Sequence, residues 1–495
     1  MINMDPWNTI ARLSRHELQA LQNRKLRHFI NRHLYPFSPY YRNLFDENKI
    51  NPGHIRAAAD LKHLPFTSKA DFIDGQNPSK FIDFVLQPNA EKIRRHWPVG
   101  KLLQLKALSV LHGNPFVEEF LGQEYRPAFI TFTTGTTNKP ISYLYTKYDI
   151  NNLYVSGARM LRLFDIKSSE HIVSLFPFAP HLAFWQVVFG GLHAGALILS
   201  TGGGKGVGTE GNIAAILKMR PSVILGVPSY VYHVLREAQS RGERMEFVKK
   251  VVLGAAAVTA PFKMKLAELL TSMGARDVAV FGTYGFTEAR CAWAECPTSN
   301  DTTSGYHLYP DKEIFEIIDP ETGDVKKEGE DGELVYTSID SRGSSVIRFR
   351  TGDFVKGGIT WDPCPHCKRQ VPRLSSHITR ISNLQGMQIS KIKGCLVNFN
   401  NFAMTLSGLS EIEEWQIEIA KKDNDPFEVD ELTVSVSPHG PVNETELAAT
   451  IKKKLLLATE VSPNEVRFIP LPEMIRRLEL ETSNKEKRIV DKRPT

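Results

Sequence analysis

The stretch from residue 172 to 282 narrows the choice of fold more than any other part of the chain. Short β-branched apolar runs alternate there with longer helical ones. Strands are expected at 172–176, 196–200, 222–225, 250–253 and 277–282, and helices at 184–192, 213–219, 229–240 and 260–273. Strands joined through helices lie parallel and are covered on both faces, which is why they read as continuous Val/Ile/Leu runs. The alternation therefore predicts an α/β domain built on a parallel sheet. Ligands of such sheets gather outside the carboxyl ends of the strands. The loops after Phe132, Leu253 and Gly282 are the expected site-builders.

The flanks read differently. Leu18, Leu21, Leu26, Phe29, Ile30 and Leu34 recur at helical spacing over 14–34 until Pro36 and Pro39 end the element. A helix is expected at 146–164, whereas 76–127 has no clean periodicity. After Glu313 the pattern becomes a β-meander with strands at 314–318, 333–338 and 345–350. A last segment predicts strands at 414–420, 431–437 and 466–469 around a helix at 444–457, a small α+β unit. With 495 residues the chain exceeds what one core serves, so more than one domain is expected.

Composition excludes little. A net charge of +6 suits small anionic substrates as well as nucleic acid, but no basic tract with interleaved aromatics occurs, so no nucleic-acid partner is expected. The longest apolar run, 182–199, is broken by polar residues and glycines and reads as buried helix and turn, so no membrane association is expected. No signal peptide is read at residues 1–12, and five cysteines form no disulfide framework, which points to a reducing cytoplasm.

Four stretches carry chemistry. Thr133, Thr134, Gly135, Thr136, Thr137, Asn138 and Lys139 set hydroxyls and an ammonium around a glycine turn that lets backbone N–H groups approach phosphate oxygens. The spacing is not that of a Walker loop. Tyr284-Gly-Phe-Thr-Glu288 places a hydroxyl and a carboxylate just past an expected strand end. Arg348-Phe-Arg-Thr-Gly-Asp353 is expected to set an acid in a turn, and Ser483-Asn-Lys-Glu-Lys-Arg-Ile-Val-Asp491 forms a basic tail. Singly, each also reads as a polar turn, a hairpin or a solvated tail. Gly202-Gly-Gly-Lys-Gly206 has no phosphate-loop spacing and is expected to be a flexible connection.

In this order the four stretches resemble the adenylate-forming superfamily (acyl-CoA synthetases, peptide-synthetase adenylation domains and luciferases), and within it the phenylacetate-CoA ligase family. Ser38-Pro-Tyr-Tyr-Arg42 and Leu64-Pro-Phe-Thr-Ser-Lys-Ala-Asp71 resemble that family's N-terminal phrases. The resemblance implies an α/β fold with a large N-terminal adenylation domain, 1–381, containing mixed and parallel sheets and a β-rich part. It further implies a small mobile α+β lid, 382–495, hinged within 380–384. It implies ATP-dependent activation of a carboxylic acid, expected to be aromatic, to acyl-AMP, followed by transfer to coenzyme A. Thr133, Thr134, Gly135, Thr136, Thr137 and Lys139 would hold the phosphates, and Thr287 the adenylate phosphate. Glu288 would coordinate Mg²⁺, Asp353 would accept the ribose hydroxyls, and Tyr284, Gly285, Gly254, Ala255 and Arg380 would complete the nucleotide site. Lys485, with Lys487 as the competing assignment, would bridge the α-phosphate and the acid. Asn138 and Asn484 replace glycines of the family pattern, and the acidic hinge residue is missing, Ser382 or Asn383 standing in its place. Transfer to a carrier-protein thiol or an amine is the rival within the fold. A non-catalytic nucleotide-binding protein is the rival outside it.

Two further readings complete the set. Cys364-Pro-His-Cys367 is a knuckle that, with Cys296 and His307, offers Zn²⁺ four ligands for a closed structural site; a reduced unliganded pair is the alternative. The aromatic stretch 176–185 reads equally as acid pocket or core, and His181 more as a buried, satisfied histidine. A homodimer is compatible with all of this.

Overall fold

The computed structural model describes residues 5–74, 76–133, 141–178, 181–381, 399–421, 430–459, 461–482 and 486–492. The phosphate loop 134–140, the expected domain boundary, Ser382, Asn383 and Lys485 lie outside them.

A hairpin of β1 (Pro127–Phe132) and β2 (Ser142–Thr146) precedes the main sheet. The helix Lys147–Leu163 starts on a capping box in which the Thr146 N–H and hydroxyl both donate to Asp149. Asp149 is buried and also accepts from the backbone N–H groups of Arg342 and Gly343 and from the Arg290 guanidinium. One carboxylate thus fixes a helix start, the loop at 342–343 and the segment after the Tyr284–Glu288 motif.

The alternation then unfolds as read. Strands β3 (His171–Ser174), β4 (Leu197–Ser200), β5 (Val223–Gly226), β6 (Lys250–Leu253) and β7 (Ala279–Phe286) run parallel. Helices Leu182–Ala194, Gly203–Met219, Pro228–Ser240 and Ala260–Ser272 connect them. Beyond β7 the sheet turns antiparallel through β8 (Cys291–Ala294) and β9 (Tyr306–His307). A second sheet holds β10 (Glu313–Ile318), β11 (Gly332–Ser338) and β12 (Phe349–Val355); β13 (Ile359–Thr360) and β14 (Arg373–Leu374) return to the edge of the first, and β15 (Ile378–Arg380) pairs with β12. The nine-stranded order is β13-β14-β9-β8-β7-β6-β5-β3-β4.

Three expectations are corrected. β7 does not stop at Gly282 but continues through Thr283, Tyr284 and Phe286, because those residues favour a strand and β8 pairs with them. The third meander strand lies at 349–355, not 345–350, so Asp353 is in a strand and not a turn. Phe349, Thr351, Asp353 and Val355 are buried alternately while Gly352, at φ +72°, absorbs a register irregularity. The glycines at 203–206 open a helix that kinks at Gly208 and do not form a flexible connection.

The region 76–127 folds as helices Ala90–His96, Val99–His112 and Asn114–Tyr125. It lacks a clean pattern because Val99, Leu103, Val110, Leu111, Phe116 and Phe120 are exposed. The C-terminal residues have a core of their own, with Leu432, Val434, Ile417, Ile451 and Leu455 buried together. Here β16 (Ile412–Lys421) pairs with β17 (Asp430–Pro438), while β18 (Glu465–Phe468) and β19 (Ile489–Asp491) lie parallel at the edges. The unit rests on the first domain where Lys265 donates to the carbonyls of Ile412 (2.7 Å) and Glu413 (3.2 Å) and Arg236 pairs with Glu413 (2.8 Å).

Candidate active site

The site is assembled at the carboxyl ends of β6 and β7 and on β12. β6 ends at Leu253, and Gly254 follows where a Cβ would lie 2.3 Å from the Thr283 hydroxyl, so only glycine fits. Ala255 then adopts φ +68°, a left-handed conformation that costs a non-glycine residue about 1–2 kcal/mol and persists only where its surroundings hold it. At β7, Gly282 donates its N–H to the buried Glu295 carboxylate (2.5 Å), which is paired with the equally buried Lys263 (2.6 Å). This anchors the strand just before Tyr284. Gly285 faces β8 so closely that a Cβ would fall 2.6 Å from that of Ala292.

Past the strand, Thr287–Ala289 forms a single tight turn. Glu288 is 3% exposed, and its Oε1 has no hydrogen-bond donor among the described residues. Lys69 stands 3.3 Å from that oxygen. A buried carboxylate oxygen without a donor is costly unless a cation compensates it. Lys69 supplies that compensating charge, and Glu288 has the oxygen-ligand character that a hard divalent cation takes. Lys69 was absent from the residues expected at the site. Its signal lay in the phrase Leu64–Asp71, where Ser68 donates its N–H and hydroxyl to Asp71 and opens the turn that carries Lys69.

On β12, Asp353 is buried and doubly engaged. The Tyr284 hydroxyl donates to Oδ2 (2.6 Å), and Arg380, its partner across β15, lies 3.0 Å from Oδ1. Burial raises the Asp353 carboxyl above the ordinary range although Arg380 and Tyr284 oppose the shift. An ionised carboxylate still has acceptor capacity beyond two partners. The expected residues Tyr284, Asp353 and Arg380 are thus in direct contact, with Glu288 and Lys69 close enough to act on Asp353 electrostatically.

At the hairpin, Thr133 follows β1 directly and precedes the loop. Its N–H donates to the Ile141 carbonyl (3.0 Å), and its hydroxyl accepts from the Ile141 N–H (3.0 Å), so it clasps the base of the loop. His181 Nδ1 lies 2.9 Å from the Phe132 carbonyl, tying the helix Leu182–Ala194 to the same place. In the C-terminal unit Lys487 is held by Glu479 (2.5 Å), while Arg488, half-buried, lies between Glu414 and Glu486 over the Trp415 ring.

Cys296, His307, Cys364 and Cys367 come together with their ligand atoms all within 4.8 Å of one another. Cys296 and Cys364 sulfurs are 3.7 Å apart, and Cys367 Sγ is 3.2 Å from His307 Nε2. Two sulfurs on tetrahedral Zn²⁺ bonds of about 2.3 Å stand about 3.8 Å apart, so the set fits. The hydrogen bonds it shares with Cys296 and Cys364, reinforced by His307, hold the Cys367 thiol well below its ordinary range. His307 Nδ1 faces the Ala294 carbonyl (3.3 Å), leaving Nε2 for the cluster.

A parallel sheet whose strand ends gather two buried carboxylates, a tyrosine, an arginine and a lysine defines an α/β protein built for a charged ligand. The family described as AMP-binding enzyme matches residues 82–341, more than half of the chain, and the chain belongs to that family. It is 26% identical over 504 residues to a phenylacetate-coenzyme A ligase of Aromatoleum evansii, covering 98% of this chain and 97% of that one. It is 24% identical over 461 residues to that of Escherichia coli K12, covering 92% and 89%. Among solved structures, a 2-hydroxyisobutyryl-CoA ligase in the postadenylation state superposes with a TM-score of 0.76 at 18% identity, covering 98% of this chain and 92% of the other.

Proposed function

We propose that this protein is an AMP-forming acid–thiol ligase that activates an aromatic carboxylic acid with ATP and passes the acyl group to coenzyme A. The observation that carries the reading is the contact set Glu288–Lys69 beside Tyr284–Asp353–Arg380, in a chain similar end to end to phenylacetate-coenzyme A ligases. The acid's carboxylate would attack the α-phosphorus of ATP, forming the acyl-adenylate and releasing pyrophosphate. The thiol of coenzyme A would then attack the acyl carbon and release AMP.

In this reading the ribose hydroxyls donate to Asp353, whose carboxylate Arg380 and Tyr284 hold in place. Thr287 meets the adenylate phosphate, and Gly254 and Ala255 line the nucleotide. Thr134, Gly135, Thr136, Thr137 and Lys139 take the remaining phosphates, on a loop that Thr133 closes. Glu288 would hold Mg²⁺, which lowers the cost of bringing a carboxylate to a polyphosphate. Lys69 supplies a second positive charge at the same oxygen. Lys485 is the residue assigned to the α-phosphate and the acid. Lys487, engaged by Glu479, is the weaker candidate. Cys296, His307, Cys364 and Cys367 would hold a structural Zn²⁺ that ties β13 and β14 to β8 and β9. Residues 382–495 are assigned as the lid, and a cytoplasmic location fits the free cysteines. Among the described residues no helix is long and apolar enough to cross a membrane.

The test is acid-dependent exchange of labelled pyrophosphate into ATP. Lys485→Ala is expected to reduce exchange by at least about 100-fold, the scale of losing one preorganised charge from a transition state. Full exchange in that variant would move the role to another residue.

A further inference from the structure

Between the helices Lys147–Leu163 and Leu182–Ala194 and the sheet lies a cavity that the reading above does not use. The two helices cross at glycines: a Cβ on Gly157 would sit 2.5 Å from Gly190 Cα, which brings the backbones into contact. Ile172, Phe176, Val187, Ile198 and Leu225 line the space behind that crossing. The cavity measures about 60 Å³. One water needs on the order of 10–15 Å³ on that measure, so roughly four to six water-sized groups fit, the bulk of one six-membered ring.

The sheet-side wall includes Thr283, the residue before Tyr284. Phe176 and Thr283 are also the side chains nearest the Cβ that Gly254 lacks, so the cavity reaches the nucleotide-site loop. On the opposite, helical wall sits Gln186, 4% exposed. Its Nε2 donates to the Met160 thioether (3.0 Å), and its Oε1 has no partner among the described residues. A thioether can only accept, which sets the amide nitrogen toward Met160 and leaves the oxygen unpaired. A buried acceptor left unpaired is destabilising, and a water there would need two to four polar partners. Among the described lining side chains the only other hydroxyl or amide group is Thr283, whose hydroxyl is already donated to the Leu253 carbonyl (3.0 Å). The cavity therefore lacks what would hold a water and has what would recognise a donor.

We propose that Gln186 is a specificity-determining residue, and that the acid carries a neutral hydrogen-bond donor, a hydroxyl or amino group, at the end remote from its carboxylate. This rests on the acid-ligase reading and adds the substrate class to it. The carboxylate lies toward Thr283 and Glu288, the ring or chain fills the apolar cavity, and the distal O–H or N–H donates to Gln186 Oε1.

The experiment measures pyrophosphate exchange with matched acids, phenylacetate against its 3-hydroxy, 4-hydroxy and 4-amino derivatives, in the wild-type protein and in Gln186→Leu. The wild type is expected to favour at least one donor-bearing acid by roughly 10- to 100-fold in kcat/KM, the discrimination that one buried polar match supplies. Gln186→Leu is expected to lose that preference or reverse it toward phenylacetate, with KM for ATP unchanged. Gln186→Met, close in length and volume, serves should the leucine variant fail to fold. Wild-type preference for phenylacetate over every derivative, or an unchanged preference in the variant, overturns the inference and leaves the ligase reading standing. Absence of exchange with every acid overturns the ligase reading and the inference together.

Discussion

Glu313 offers the most direct quantitative test of how the site's wall is held. Its side chain is fully buried, accepting at Oε1 from the Trp293 indole (2.6 Å) and the Tyr309 N–H (2.7 Å), while Oε2 has no partner among the described residues. Burial pushes the carboxyl up from 4.5 to about 8, although the two donors oppose the shift. In the unfolded chain the group ionises near 4.5, so between pH 4.5 and about 8 the native state keeps a proton that the unfolded state releases. The contribution to stability is complete below pH 4.5 and is lost as pH rises through that window. At about 1.4 kcal/mol per unit the loss reaches up to about 5 kcal/mol. Glu313→Gln removes the proton but keeps an Oε1 acceptor. Urea unfolding read by tryptophan fluorescence from pH 5 to 9 should show the wild type losing stability relative to the variant across the window. The variant should be the more stable of the two at pH 8.5 and no more stable at pH 5. Because other titrations cancel in the difference, parallel pH curves for the two proteins would refute the argument. The consequence reaches the ligand site, since the Trp293 ring stacks on Tyr284 at 5.9 Å.

Two further substitutions test the other clusters. Cys364→Ser should lower bound zinc from near one per chain to well below it, as read by elemental analysis. Losing a cross-link between Cys296 and Cys364, 68 residues apart, should destabilise the fold by about 4 kcal/mol; unchanged metal content would rule out this ligand set. Asp353→Asn should raise KM for ATP by roughly 10- to 100-fold, the range for a charged hydrogen bond lost from a site, and a wild-type KM would remove Asp353 from the nucleotide's contacts.

The parallel core was legible because its strands are buried on both faces and so announce themselves as apolar runs, as β5 does, all four residues being buried. The order of the four chemical motifs was legible too. Positions inside them were less so. Asp353 reads as a turn residue because Gly352 precedes it, yet a glycine at positive φ within β12 bends the strand without ending it. Tyr284 has glycines close by at 282 and 285, which mask the strand that its own residues and their pairing with β8 support. Lys69 could not be seen because its partner is 219 positions away. Gln186 looks like one polar residue in an apolar helix. Its importance comes from an unpaired oxygen, which no sequence pattern displays.

Arg380 joins two neighbourhoods. Its guanidinium holds Asp353 and also donates to the Thr351 carbonyl at 2.8 Å, and two residues further on begins the segment leading to the C-terminal unit. For protein engineering this fixes where the chain can be cut. A chimera joined before Ile378 would import a foreign β15 and with it a foreign partner for Asp353, altering the first domain along with the second. A seam placed after Arg380 keeps β15 and the Asp353–Arg380 pair together and leaves the contacts between the two halves, such as Arg236–Glu413, to be matched.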